Sequence, residues 1–400
     1  MKKYVIIGNG VAGATAAKKI RETDTQGSIT IFSSEAESFY YRPRLPDFIA
    51  GKADLPKFTL QDFDWYASRQ IDLRLGETVT AVDTSSRAVR TEKGSVIQYD
   101  ALLLATGARS FIPPISGTDK GGVFALRTVA DAQAIKARAN EVQEAILIGG
   151  GLLGLEAGYG LSRLGLKVNV VEFFDRLLPR QMDQAGAQKL LQILESMGFS
   201  FYLGARAKEI LGNKMAHGLA LEDGRTLNGG LILFSAGIRS NLDLARQMNL
   251  SLGKGVKVDD RLMTSQQGVW AAGDLIEHDG RMYGIWPAAL TQGEVAGTNM
   301  AGGQAVYQGT LMSNSLKVVG VDLTSAGEID PEGKLQSTVY ETEGVYRKIV
   351  VDGGCIVGYI FFGLTDGIKE CQVALKEKTD ISSLLQEMKN KDFDFSRLLS

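Results

Sequence analysis

Two six-residue runs concentrate the chemistry open to this chain. Gly8-Asn9-Gly10-Val11-Ala12-Gly13 and Gly149-Gly150-Gly151-Leu152-Leu153-Gly154 share the pattern Gly-x-Gly-x-x-Gly. Each is followed by an acid, Glu35 lying 22 residues past Gly13 and Glu172 lying 18 residues past Gly154. The first glycine of such a run permits a sharp turn, the second lets backbone approach a pyrophosphate, and the third lets helix and strand pack closely. The free N–H groups of the helix that follows then face phosphate oxygens, and a carboxylate at Glu35 or Glu172 accepts hydrogen bonds from ribose hydroxyls. Gly8, Gly10, Ala12, Gly13 and Glu35 therefore form one candidate dinucleotide set, and Gly149, Gly151, Leu153, Gly154 and Glu172 a second. Ordinary strand-to-helix turns are the competing reading, but the repetition of the whole context is far more specific than one fingerprint. The pair implies two dinucleotides or one bound twice over, and the former is chemically natural.

The elements needed to position these residues are present in the pattern. Tyr4 to Ile7 is a short apolar run bounded by glycine and reads as a buried strand, followed by a helix ending near Arg21 and a strand over Ser28–Phe32. The unit recurs as a strand over Ala145–Ile148, a helix over Leu155–Leu164 and a strand over Val168–Val171. Further buried runs end in small residues: Ala101–Leu104 before Ala105-Thr106-Gly107, Gly230–Phe234 before Ser235-Ala236-Gly237, and Gly268–Ala271 before Ala272-Gly273-Asp274. Ligands of open α/β sheets bind beyond the carboxyl ends of the strands, which places Asp274 for contact. A helical run starts near Trp286, with Pro287 at its first position, and passes through Gly297 and Asn299. After about residue 303, strand-like segments at 315–321, 336–340, 347–351 and 356–362 alternate with glycine turns. An amphipathic stretch over 366–378 follows, and Asp380 is placed to cap a last short helix.

Composition narrows the class. Glycine is 47 of 400 residues while proline is only 8, with no period or biased tract, so the excess marks tight turns and close backbone approaches rather than low complexity. Net charge is −2, which speaks against a nucleic-acid binder. The two cysteines, Cys355 and Cys371, and two histidines show no metal or cluster spacing. No apolar run approaches the roughly 18 residues of a membrane span. The apolar start breaks at Gly8, so the expected compartment is the cytoplasm. The histidines, His217 and His278, have no partner at meaningful spacing, and Cys371 reads as core.

With both fingerprints, the Ala105-Thr106-Gly107 turn and the Ala271-Ala272-Gly273-Asp274 strand end in view, the chain resembles the pyridine nucleotide–disulfide oxidoreductase superfamily over essentially its whole length. Phe39-Tyr40-Tyr41-Arg42-Pro43-Arg44-Leu45-Pro46 and Leu126-Arg127-Thr128 look most like its NADH:rubredoxin reductases and the flavin-binding front of NADH-dependent nitrite reductases. The resemblance implies an α/β fold with two Rossmann-like domains and a C-terminal α+β domain. An FAD domain would cover 1–112 and 236–303, an NAD domain 113–235, and an interface or acceptor domain 304–400. It further implies Arg42 and Arg127 near the flavin or its pyrophosphate, Val79 at the adenine, Asp274 at the ribitol chain and Glu156 beside the nicotinamide. Ala105, Thr106, Gly107, Gly237, Gly273 and Trp286 complete the cofactor edge, and the helix near Ala288 would aim its N-terminus at the flavin's N1–C2=O edge. Surface ion pairing is the competing reading for the two arginines.

One departure from the superfamily decides the chemistry. Relatives that reduce disulfides keep a cysteine on the flavin's face, whereas Pro43-Arg44-Leu45-Pro46 puts proline where that thiol would stand, and no cysteine lies near either fingerprint. Without a thiolate, disulfide chemistry is excluded, and electrons arriving as hydride must leave singly to a redox protein or pass to oxygen. Related ferredoxin reductases use a lysine shortly after this motif; here the position holds Asp47, so Arg44 is expected to supply the cation near flavin N5, paired with Glu156. Glu172 favours NADH over NADPH, and Arg176, four residues on, does not cancel its repulsion of a 2′-phosphate. The expected activity is transfer of electrons from NADH through FAD to a rubredoxin- or ferredoxin-like carrier by a chain that could be a homodimer. The alternatives are an electron-input subunit working with cluster-bearing partners, as in a nitrite reductase assembly, and a flavin-based sensor.

Overall fold

Strands that are apolar on both faces must be covered on both faces, which is the condition of a parallel sheet flanked by helices. Lys3–Ile7 meets it and lies at the centre of a five-stranded sheet ordered Val269–Ala271, Ala101–Leu104, Lys3–Ile7, Ser28–Phe32, Ile71–Arg74, every pair parallel. The structure is a computed structural model and describes residues 1–318 and 320–399. The chain divides into two compact units. Met1–Arg44, Ala53–Ser110 and Ile238–Thr310 make the first, and Leu45–Lys52, Phe111–Gly237 and the described part of Leu311–Ser400 make the second.

In the first unit the Val11–Thr23 helix buries Ala12, Ala16, Ala17 and Ile20. The Trp286–Met300 helix crosses it on a seam of small residues. A Cβ at Gly293 would stand 2.6 Å from the Ala12 carbonyl oxygen, and one at Gly297 2.6 Å from that of Ala16. The backbones therefore touch. A three-stranded antiparallel sheet of Val79–Asp83, Ala88–Thr91 and Val96–Gln98 completes this unit's main elements.

The second unit repeats the parallel design, ordering Phe199–Tyr202, Lys167–Val171, Glu144–Ile148, Leu231–Phe234 and Val123–Ala125. Its Leu152–Arg163 helix meets the short Leu45–Ile49 helix at Gly160, where a Cβ would lie 2.9 Å from the Pro46 oxygen. It also holds a five-stranded antiparallel sheet, ordered Ser313–Val318, Val321–Gly327, Cys355–Phe362, Val345–Asp352, Gln336–Thr342. The Ile368–Glu377 helix covers this sheet, its Cys371 and Ala374 sharing one core with Ile349, Tyr359 and Phe361. Cys371 is fully buried and so belongs to the core, as its amphipathic setting indicated, and that burial pushes its thiol pKa up.

Four local expectations change. The second fingerprint helix starts at Leu152, not Leu155, because the turn itself supplies its first residues. Pro287 occupies the second helical position behind Trp286. Asp380 accepts a bond from the Ser382 amide at 2.9 Å, but turns and a 3₁₀ segment at Glu387–Lys389 follow in place of an α-helix. The strand expected over 315–321 is two strands, Ser313–Val318 and one starting at Val321; Val319 lies outside the described residues. The Gly293 seam gives a direct test: Gly293→Ala forces two packed helices apart, and the expected loss of about 1–3 kcal/mol is read as a lower denaturation midpoint. A variant as stable as the parent would show that the seam is not this tight.

Candidate functional site

Both fingerprints are built on one plan. The amide of Gly8 donates to Phe32 at 2.8 Å, and the amide of Gly149 donates to Val171 at 2.8 Å. Ala105 donates to Ile7 at 2.8 Å, as Ser235 does to Ile148 at the same distance. Gly8 has φ +114° and Gly149 φ +108°, and a Cβ at either would strike the carbonyl oxygen of Ala105 or Ser235, at 2.1 and 2.4 Å. Only glycine allows that turn to press against the neighbouring strand end. Gly13 and Gly154 sit against the carbonyls of Gly8 and Gly149, closing helix onto turn, whereas Gly10 faces open space, as a backbone that must admit a ligand would, and a Cβ at Gly151 would meet only Ser235, at an ordinary contact distance of 3.8 Å.

The helices that leave these turns, Val11–Thr23 and Leu152–Arg163, have no side-chain cap. By contrast, Thr128 and Asp183 cap the helices starting at Val129 and Gln184. Uncapped N-terminal amides present partial positive charge to whatever lies before them, the usual seat of a phosphate.

Around the first turn, the structure gathers several expected residues into one cleft. It is lined by Asn9, Gly10, Glu35, Phe39, Arg42 and Trp286, together with five neighbouring residues. Glu35 accepts from the Tyr40 hydroxyl at 2.6 Å and from Arg42 Nη2 at 2.8 Å. A carboxylate has about four acceptor sites, so it keeps capacity for ribose hydroxyls. Burial opposes the Arg42 charge, but Glu35 beside it and the fields of Tyr40 and Asp274 outweigh that and raise its pKa. Trp286, first residue of its helix, stacks on Phe39 at 5.7 Å and meets Tyr41 edge-on at 4.8 Å. Asn9, which the sequence reading passed over, accepts from the buried Tyr66 hydroxyl at 2.8 Å, while its Nδ2 is buried and unpartnered. An orphaned donor beside an open glycine and a free helix end suits an acceptor-rich diphosphate, so these residues fit FAD.

The strand ends converge on the same edge. Ala272 donates to Leu104 at 3.1 Å, and a Cβ on Gly273 would touch Ala12 at 3.2 Å. Ser240 and Asn241 fasten this edge, since Ser240 Oγ donates to the Asp274 oxygen at 2.7 Å and Asn241 Nδ2 to that of Thr106 at 2.8 Å. Gln292 accepts from the Gly273 amide at 2.8 Å. Nothing in their spacing marked these three residues. Gly107 and Gly237 both take positive φ at their turns. Val79 is buried at the start of its strand and is not among the residues that line the cleft. Arg44 closes the 3₁₀ turn Arg42–Arg44 in the first unit, its amide donating to Tyr41 at 3.0 Å.

In the second unit Glu172 is buried at the end of its strand and accepts from the Gly150 amide at 2.6 Å and the Phe174 amide at 2.9 Å. It is thereby locked beside the turn. Leu153 is exposed and Glu156 half-buried on the first turns of the Leu152–Arg163 helix. The Arg127 amide donates to Asp131 at 3.0 Å, within the capping box of the Val129–Ala139 helix. Contrary to the sequence reading, His278 has a partner, Asp260, at 2.9 Å; the two lie 18 positions apart with the Val269–Ala271 strand between them, so no single element joins them. Among the described residues no group of three His, Cys, Asp or Glu could hold a metal, and no helix is long and apolar enough to cross a membrane.

Comparison with known proteins agrees with this geometry. Residues 2–293 match the pyridine nucleotide-disulphide oxidoreductase family, and residues 313–379 match the rubredoxin NAD+ reductase C-terminal domain. An NAD(P)H nitrite reductase of Bacillus subtilis is 36% identical over 385 residues, covering 95% of this chain and 48% of that one. The chain thus spans about half the length of this curated relative. An NADH-rubredoxin oxidoreductase of Clostridium acetobutylicum is 28% identical over 390 residues, covering 96% and 97%. The crystal structure of NADH:rubredoxin oxidoreductase from that organism aligns with TM-score 0.77 at 27% identity over 95% of each chain. The chain belongs to the pyridine nucleotide-disulphide oxidoreductase family, whose members use FAD and a pyridine nucleotide.

Proposed function

We propose that this chain takes electrons from NADH through FAD and delivers them singly to a small redox protein, rubredoxin- or ferredoxin-like. The observation that carries the reading is the pair of equivalent phosphate turns in a chain whose two cysteines, Cys355 and Cys371, both lie in the C-terminal part. When bound, FAD supplies acceptance of a hydride and release of single electrons. The domain assignment follows: 1–112 with 236–303 for FAD, 113–235 for NADH, and 304–400 for the acceptor or an interface. Glu35 and the amides after Gly10 hold the FAD ribose and diphosphate, and Asn9 Nδ2 donates to the latter. Asp274 binds the ribitol chain, Val79 borders the adenine, Arg42 and Arg127 balance charge, and the Trp286–Met300 helix points its positive end at the isoalloxazine. Glu172 takes the NADH ribose and Glu156 lies by the nicotinamide. Orientation is the protein's main task, because hydride transfer between the two rings needs no proton donor. A second reading, an electron-input subunit with cluster-bearing partners, rests on the match to half of a nitrite reductase.

Stopped-flow reduction tests the activity. NADH should bleach the bound flavin, and added rubredoxin or ferredoxin should reoxidise it faster than oxygen does. A flavin bleached by neither NADH nor NADPH would end the enzyme reading, and reoxidation only by a co-purifying cluster protein would favour the subunit. Steady-state kcat/KM should favour NADH over NADPH by roughly ten- to a hundredfold, since a locked carboxylate repels a 2′-phosphate, and Glu172→Gln should narrow that ratio; a preference for NADPH overturns the assignment. Arg44 is the cation proposed near flavin N5. Arg44→Ala should slow flavin reduction by about tenfold or more and lower the flavin potential, and no change in either removes Arg44 from the site.

A further inference from the structure

The loop between Glu172 and the helix at Gln184 has one end in the dinucleotide turn and the other in the antiparallel sheet. At its far end Asp183 caps the helix through the Gly186 amide at 3.1 Å. The same carboxylate accepts from the Tyr346 hydroxyl at 2.6 Å and pairs with Lys348 Nζ at 3.2 Å. Lys348 also donates to the Asp330 carbonyl at 2.7 Å, with the Asp330 carboxylate 3.9 Å away. Tyr346 and Lys348 alternate along one strand and so share a face. The side chains of Lys348 and Asp183 are 6% and 11% exposed, so this polar cluster is closed off from water. Burial and the neighbouring Asp183 push the Tyr346 pKa up, keeping its hydroxyl a donor.

From Asp183 the connection runs back toward the turn through side-chain contacts at its two ends and the backbone hydrogen bonds of a buried bend between them. A Cβ at Gly186 would meet both Met182 at 3.0 Å and Tyr346 at 3.2 Å. The amides of Gln181 and Met182 both donate to Leu178, which holds φ +48°, a left-handed conformation costly for leucine. Leu177, Leu178 and Met182 are all buried. Leu177 then abuts the middle of the fingerprint: a Cβ at Gly150 would stand 2.7 Å from Leu177 Cδ2 and 3.2 Å from Glu172 Oε2. One continuous path thus joins the antiparallel sheet to the amide that Glu172 holds.

We infer that Tyr346 and Lys348 are positioning residues for the dinucleotide, acting through Asp183 and the Leu177–Met182 bend to hold Gly150 and Glu172 in register. The inference rests on the reading that this turn takes NADH. A stabilising cluster that leaves the turn indifferent would serve only to glue helix to sheet. Holding a strained bend against the turn means that loosening the cluster lets Gly150 and Glu172 drift, and a small displacement there weakens binding.

The test is calorimetric titration of the flavin-loaded protein with NAD+, at temperatures well below each variant's melting point, alongside steady-state kinetics with NADH. Tyr346→Phe removes one hydroxyl and Lys348→Met one charge. Lys189→Ala is the control, because Lys189 ties the same helix to the same sheet through the Thr342 oxygen at 3.0 Å and Glu341 at 3.8 Å rather than through Asp183. The expected result is an NAD+ Kd and an NADH KM raised about five- to tenfold in Tyr346→Phe, with kcat reduced less and the Lys189 variant within about twofold of the parent. Lys348→Met should act in the same direction; if it does not fold, Tyr346→Phe decides. Variants that melt lower yet bind NAD+ as the parent does would overturn the inference, and so would equal weakening in Lys189→Ala. A parent protein that neither binds NAD+ nor is reduced by NADH would instead overturn the functional reading on which this one stands.

Discussion

The turn pressed against a neighbouring strand end is the contact on which both parallel sheets depend. At Gly8 and at Gly149 the backbone comes so close to Ala105 and Ser235 that a methyl group would overlap a carbonyl oxygen. That approach sets the direction of the helix that follows, leaves Gly10 facing open space and Gly151 uncrowded, and leaves the first amides of both helices without side-chain partners. The uncapped ends carry an energetic debt while they stay empty, and an anion relieves it. Twice in one chain the same steric demand yields the same uncapped helix end.

The two ends differ in how their surroundings are held. At the first, the loop residue Asn9, which lines the cleft, is anchored by Tyr66 and keeps a buried donor without a partner, with Glu35 shared between Tyr40 and Arg42. At the second, the equivalent loop amide at Gly150 binds Glu172 itself. A carboxylate fixed by two amides cannot swing away from an approaching phosphate, whereas one held by a tyrosine and an arginine sits among groups that can share an added charge. Identical turns are thereby given different electrostatic settings by side chains outside the fingerprint.

Much of this was legible because glycine spacing and apolar runs are local signals. The strands at 4–7, 28–32, 101–104 and 145–148 follow from short buried stretches, and the strand-end sites follow from the small residues after them. What escaped were the pairings that fold topology makes. Asn241 reaches Thr106 across 135 positions, Tyr346 reaches Asp183 across 163, and His278 finds Asp260 on a neighbouring segment. No periodicity records such distances. Capping misled at Asp380, where the Asx turn formed but the residues after it did not continue as an α-helix. A cap satisfies amides; it does not supply the apolar face that makes a helix worth burying.

The glycine seam between the Val11–Thr23 and Trp286–Met300 helices bears on how the chain comes to be assembled during synthesis. The sheet it covers draws strands from residue 3 to residue 271, and the helix that locks onto the first one ends only at Met300. The five parallel strands of the second unit, by contrast, all lie between Val123 and Phe234. A chain emerging N-terminus first has a complete inner sheet while its earliest strands still await their partners. The long-range closure is therefore the late step, and the fingerprint nearest the start of the chain is among the last to reach its working shape.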